Sequence, residues 1–306
     1  MALSPPIAAL LAQYQARKPV RIWSLIVTLY GDAVVPRGGS LWIGSLIEIM
    51  ALFGIDAGHV RTAVSRLSSD GWLAGTRRGR ASYYRLTKGG EAEFLQATQR
   101  IYVGVPAVKG GLQVALIGPA ATDPAQLRAA LKAAGYSAVS PVIHAGFAPL
   151  PAELSGREGL YVMTPRPQDR PRLAADAFHL GEVSQAYRDF VVQFSPLVEA
   201  LANEVSEEDA LVARILLIHA FRRVVLRDPG LPADLLPPDW QGDVARALAA
   251  QIYGQVVGPS ERFLDRMAQN EEGPLQPPVA SFHKRFASPD KGMRSKAFNI
   301  TENLDD

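Results

Sequence analysis

The chain has 306 residues, 48% of them hydrophobic and 20% charged, enough for two or three domains with cores of their own. Its net charge of +2 conceals a split, because residues 1–100 carry 12 Lys/Arg against 6 Asp/Glu and the remainder 20 against 24. There is no cysteine, which excludes disulfides and thiolate-held metals, and no run approaches the ~20 apolar residues of a membrane span. The apolar start lacks the basic region and cleavage site of a signal peptide. Together these point to a cytoplasmic protein whose basic first part meets nucleic acid.

A short helix after Pro5–Pro6 makes residues 1–20 an N-terminal helical arm. Residues 21–30 are apolar and suit a buried helix. GDAVVPRGGS, residues 31–40, is a Gly/Pro loop. Residues 41–53 form a second helix with Trp42, Leu46, Ile49 and Met50 inward. A third begins after Asp56, whose carboxylate can cap the first free N–H groups. Val60, Val64 and Leu67 recur at i, i+4 and i+7 and give it one apolar stripe. Its outward face carries His59, Arg61, Thr62, Ser65, Arg66 and Ser69, and Gly71 ends it. Residues 72–76 and 82–86 are two strands turning at Gly79. Between 71 and 90 stand Arg77, Arg78, Arg80, Arg85 and Lys88 with no acid. A polar helix followed by a cationic hairpin is the layout of a winged helix-turn-helix DNA-binding domain, assigned to 21–102 with a closing helix over 91–102.

A Gly-rich junction at 103–111 precedes a middle domain, 108–180. Residues 112–117 read as a strand, and Asp123–Pro124 as a cap and first helical position. Residues 136–143 and 160–163 read as further strands, so β-α-β-β suggests a ferredoxin-like fold. TPRPQDRPR, 164–172, reads as a linker. From 182 to 287 the pattern is helical: 182–203, 207–227, 240–257 and 259–269, with a proline-rich loop at 231–242. The apolar stretches 211–225 and 244–257 exceed what one small bundle needs and suggest a dimer interface. Residues 288–306 are a polar, disordered tail. The fold class is therefore α+β multidomain.

Three blocks carry a resemblance: SLIVTLYGDAVVPRGGSLWIGSLIEIM (24–50), VRTAVSRLSSDGWL with RRGRASYYRLT (60–73, 77–87), and HAFRRVVLRDPGLPADLLPPDWQGDVARALAAQIY (219–253). In this order they resemble the PaaX family, the repressors of phenylacetic acid degradation operons. The resemblance implies a homodimer that binds a double-stranded operator through the winged helix. It implies a ferredoxin-like, Cas2-like middle domain, a helical C-terminal dimerisation and effector domain, and release by phenylacetyl-CoA. No catalytic cofactor is implied. Family members carry tryptophans at the entry to the middle domain, where Val108 and Leu112 stand here.

Arg61, Thr62, Ser65, Arg66 and Ser69 are the base-reading candidates, since arginine can bond guanine bidentately. Either arginine can instead hold a phosphate or pair with Asp70. Arg77, Arg78 and Arg80 suit phosphates. Of Tyr83 and Tyr84, which face opposite ways on a strand, one belongs to the core and the other can touch the DNA backbone. Arg222, Arg223 and Arg227 can bind the phosphates of an acyl-CoA, or else bridge to Asp228, Asp234 or Asp239. His219 is an effector contact or a satisfied core histidine. Trp240 stacks on a ligand or anchors its loop. No phosphate loop, nucleophile elbow or H-E-x-x-H is present, and Asp123 is better explained as a cap than as a catalytic acid. A related regulator sensing another aromatic acyl-CoA or a free acid stays open. So does a metal-dependent nuclease or thioesterase with a winged-helix targeting module.

Overall fold

The computed structural model describes residues 3–17, 19 and 21–287; the tail expected at 288–306 lies outside them. The N-terminal elements are α1 (Pro5–Ala16), α2 (Ile22–Leu29), β1 (Ser40–Trp42), α3 (Ile43–Ala51), α4 (Ala57–Ser69), β2 (Leu73–Arg78), β3 (Ala81–Leu86) and α5 (Lys88–Thr98). The middle holds β4 (Gln113–Ile117), α6 (Pro124–Ala133), β5 (Ser137–Ala138), β6 (Ile143–Gly146), β7 (Leu160–Met163) and α7 (Arg170–Ala177). Then come α8 (Leu180–Phe194), α9 (Pro196–Ala200), α10 (Glu207–Val225), α11 (Gly242–Met267) and a small hairpin, β8 (Gln269–Asn270) with β9 (Gly273–Pro274). The fold is α+β.

The expected loop at 31–40 is instead a buried helical continuation of α2, a π turn at Tyr30–Val34 and a 3-10 turn at Val35–Arg37. Its glycine permits this: a Cβ on Gly31 would strike the Phe94 ring, so only glycine lets α5 approach there. Leu41 and Trp42 leave the expected second helix and, with Ser40, pair with β3, giving an antiparallel sheet in the order β1-β3-β2. The middle sheet is antiparallel in the order β5-β6-β4-β7. The strand expected at 136–143 is broken into β5 and β6. Asp123 caps α6, its carboxylate accepting the Gln126 N–H at 2.9 Å. The linker expected at 164–172 ends inside α7, because Pro171 falls in a helix's first turn, where its missing N–H has no partner to lose. The helices expected at 240–257 and 259–269 are one, α11, running through Pro259.

The hydrophobic cores explain the arrangement. One continuous core joins α1–α4 and the three-stranded sheet with α8, α10 and α11. The apolar surplus of α10 is thus covered by α1 and α2 of the same chain, because a helix buried on nearly every side needs partners all round. The middle unit has separate cores: Ala115, Ile117, Leu127 and Leu131 under α6, and Leu112, Ala145 and Phe147 packed with α7 and Leu231–Leu235. Leu112 is buried there and Val108 packs beside it, so apolar side chains fill the junction where tryptophans were expected.

Buried charges pin the halves together. Arg214 of α10 is enclosed between Asp32, 2.5 Å away, and Glu261, at 2.6 Å. Arg37 binds Glu261 and Asp265, and Arg285 donates to Asp32 at 3.0 Å. Burial alone would raise the Asp32 pKa, but Arg214, Arg285 and the Tyr102 hydroxyl outweigh it and hold the carboxyl below its ordinary value. After α11 the chain runs back over the N-terminal unit, with Val279 N–H donating to Pro36 O and Phe286 N–H to Tyr102 O.

Candidate nucleic-acid interface and the arginines of α10

The start of α4 is fixed locally. Asp56 accepts from Gly58 N–H at 2.8 Å and His59 N–H at 3.0 Å. These bonds and the His59 imidazole hold its pKa below the usual carboxylate value. Val60, Ala63, Val64 and Leu67 are buried, which turns Arg61, Thr62, Ser65, Arg66 and Ser69 outward, all exposed. Gly71, at φ 75°, takes the left-handed position just past the helix. The Thr62 hydroxyl donates to Gly58 O at 3.0 Å, so it is partly engaged with its own helix. The two arginines differ. Arg66 lies 3.6 Å from Asp70, whereas Arg61 has no ion pair among the described residues.

The hairpin places its cations at its far end. Arg77 faces Ser82 and Arg78 faces Ala81 across the ladder, and Gly79, at φ 59°, makes the turn that carries Arg80. Arg77 donates to Gly79 O at 3.1 Å, and all three arginines are exposed. Trp42 and Thr76 flank Tyr83 in register. Tyr84 packs on the main core, and its carbonyl accepts from the Tyr30 hydroxyl at 3.0 Å. Tyr84 is therefore the core member of the pair, and Tyr83 lies on the other face. Arg61, Ser65, Ser68 and Ser82 line a cleft of about 510 Å3 between α4 and the sheet.

One neighbour was not read from the sequence. Glu271, in the β8–β9 turn, accepts from the Ser40 hydroxyl at 2.8 Å, and its carbonyl accepts from Arg78 at 3.3 Å. Partial burial raises its pKa, but the Ser40 hydroxyl, with Arg85 and Arg78, outweighs this and lowers it. The C-terminal half thus touches the hairpin through the Glu271 backbone carbonyl on Arg78, and touches β1 through the Glu271 carboxylate on Ser40. Only the fold reveals this, since 193 residues separate Arg78 from Glu271.

On α10 the expected effector residues do not form one cluster. Arg222 turns inward and donates to Ser24 O at 3.1 Å and Ser24 Oγ at 2.6 Å. Burial, then the adjacent Arg223, push its pKa down to about 10. Arg223 is exposed, and Arg227 pairs with Glu182 at 2.8 Å. None of the three bridges to Asp228, Asp234 or Asp239. Instead Asp228 accepts from Tyr187, and Asp239 pairs with Arg188. His219 is buried, its Nδ1 3.1 Å from Thr28 Oγ1. Burial, then Arg222, Arg223 and Arg17, depress its pKa to about 3. Trp240 packs edge-on against Tyr187, ring centres 5.3 Å apart, as a loop anchor. Arg17 and Arg21, which do stand beside Arg223, were missed. The run ARKPVR at 16–21 carried the signal, a dense cationic patch between two helices.

A family model for PaaX-like proteins matches residues 21–90, and one for the PaaX-like C-terminal domain matches residues 178–266. The chain is 34% identical over 286 residues to the transcriptional repressor PaaX of Escherichia coli K12, covering 88% of this chain and 90% of that protein. The chain belongs to the PaaX family. This relation is to a regulator, not to an enzyme, so the nuclease or thioesterase alternative falls away. Among the described residues no cluster of His, Cys, Asp or Glu is arranged to hold a metal ion, and no helix is long and apolar enough to cross a membrane.

Proposed function

We propose that this PaaX-family protein is a cytoplasmic, homodimeric, DNA-binding repressor of phenylacetate catabolic genes, released from its operator by phenylacetyl-CoA. The observation that carries the reading is the outward face of α4 beside the arginine-tipped β2–β3 hairpin. In it, residues 21–102 are a winged helix-turn-helix, with α4 in the major groove and Arg77, Arg78 and Arg80 on phosphates. The E. coli relative, a repressor by name, supports the regulatory half. The 4-1-3-2 antiparallel strand order, counted from β4, supports reading the middle unit as a ferredoxin-like, Cas2-like domain. A 3-10 turn, Ala152–Leu154, stands where that fold has its second helix.

For the homodimer, β7 is a sheet edge whose Tyr161, Val162 and Met163 are exposed. An unpaired apolar edge is a place where a second copy can pair. Two copies would read two half-sites. The effector would bind the arginines of α10 and favour a dimer geometry with the wrong half-site spacing, shifting the population off DNA.

Fluorescence anisotropy tests this with labelled DNA from upstream of phenylacetate catabolic genes and a scrambled control. The full chain should prefer the upstream DNA and release it on adding phenylacetyl-CoA but not phenylacetate. Equal affinity for both DNAs would overturn the repressor reading. Release by free phenylacetate, or by neither, would overturn the effector.

A further inference from the structure

Two grooves meet between the N-terminal arm and the helical bundle, sharing Arg17 and Arg223. The first, about 310 Å3, is lined by Tyr14, Arg17, Arg21, Ser24 and Arg223 among others, and among the described residues no carboxylate lines it. The second, about 470 Å3, has an apolar floor of Ala186, Phe190, Ala220 and Val224, with Asp189 and Arg227 beside them. Cations and apolar surface thus adjoin, as a phosphate-bearing ligand with an apolar arm requires.

The charge balance sets the first groove apart. The buried arginines Arg37, Arg214 and Arg285 are each matched by carboxylates. Among the described residues, Arg17, Arg21, Arg222 and Arg223 have no ion pair. Arg17 donates only to the neutral Gln193, at 2.9 Å. Arg222 stands behind the groove with a buried Nε that has no partner. Crowding like charges without a counter-ion is unfavourable and is relieved by binding an anion. The low pKa of His219, driven first by burial and then by Arg222, Arg223 and Arg17, fits the same positive potential. In the second groove the Asp189 carboxylate repels phosphate, which gives the ligand a direction.

We propose that the two grooves form one composite site for a nucleotide thioester. Its phosphates sit on Arg17, Arg21 and Arg223, and its acyl arm lies over Phe190 and Val224. This rests on the acyl-CoA reading above and deepens it. The N-terminal arm becomes part of the site, and Trp240, which lines neither groove, leaves it. The site also borders the DNA-binding unit: Ser24, held by Arg222, is in the first turn of α2, and α2 packs on α4.

Isothermal titration of the full chain with phenylacetyl-CoA, CoA and inorganic pyrophosphate tests the proposal, using the wild type, Arg17→Ala with Arg223→Ala, and Arg17→Glu. Both substituted residues are exposed, and unchanged operator affinity reports that each variant is folded. The double variant should lose at least tenfold in affinity for CoA and phenylacetyl-CoA, and Arg17→Glu as much or more. Either variant, folded, binding CoA within twofold of the wild type overturns the site. Wild type that binds pyrophosphate, with loss in the double variant, but neither thioester nor CoA upholds the phosphate seat and overturns the effector reading. Wild type that binds none of the three overturns the seat itself.

Discussion

Arginine is concentrated in two regions of this protein and does opposite work in them. On α4 and the β2–β3 hairpin, Arg61, Arg77, Arg78 and Arg80 point outward from a small, locally capped scaffold. Inside the bundle, Arg214 is wholly enclosed by Asp32 and Glu261, with Arg37 and Arg285 completing the network. An outward guanidinium costs the fold little and remains available to a ligand. A fully enclosed one must be matched by a carboxylate, since a lone buried charge is strongly unfavourable; Arg222, which is only partly covered, is held by Ser24 alone. The surface arginines should therefore answer to DNA assays and the interior ones to denaturation.

The largest effect tests the interior. Asp32→Asn leaves Arg285 without its carboxylate and Arg214 with Glu261 alone, and should cost ~3–5 kcal/mol in urea denaturation, with secondary effects on DNA binding through unfolding alone. A loss within ~0.5 kcal/mol, the range of ordinary surface substitutions, would erase the contrast. The same group sets a pH dependence. Its folded pKa is depressed, so its stabilisation is complete above the unfolded value of ~4 and is lost as pH falls through the lower folded value. Wild type should weaken below about pH 4, and Asp32→Asn should lack that component.

Next comes Arg61→Ala. With no ion pair to break, it should leave stability within ~0.5 kcal/mol and cost ~1–3 kcal/mol of discrimination at one operator base. Equal loss on operator and random DNA would make Arg61 a phosphate contact. The smallest effect belongs to Asp70→Ala. An exposed i,i+4 pair is worth ~0.3–0.5 kcal/mol, so stability should barely move. Operator binding should tighten slightly, because Arg66 is freed and a carboxylate leaves the DNA-facing side. Weaker binding would show the Arg66–Asp70 pair to be a positioning device.

Sequence reading succeeded where the determinants are local. Asp56, the Val60–Val64–Leu67 spacing, Gly71 and Gly79 act within a few residues, and α4 with its hairpin lies where they place it. Asp123 likewise caps α6. It failed where tertiary packing decides. The Gly/Pro-rich run at 31–40 is a loop by composition, yet its Asp32 and Arg37 are buried by partners more than 180 residues away. The split expected between 257 and 259 is absent, and α11 runs through Pro259 with α8, α9 and α10 packed against it. For the effector residues, adjacency along α10 suggested one cluster. Helix geometry sends Arg222 and His219 inward and Arg223 outward, and Arg17 arrives from another helix altogether.

The central claim, that the cationic hairpin holds DNA phosphates, is tested most directly by the salt dependence of operator binding. Wild type and Arg77→Ala with Arg78→Ala and Arg80→Ala are titrated against operator and random DNA across a range of potassium chloride concentrations. The triple variant should weaken on both DNAs alike, and its log–log salt slope should flatten by ~0.9 for each phosphate contact removed, while thermal stability holds. An unchanged affinity and slope in a folded triple variant would contradict the account.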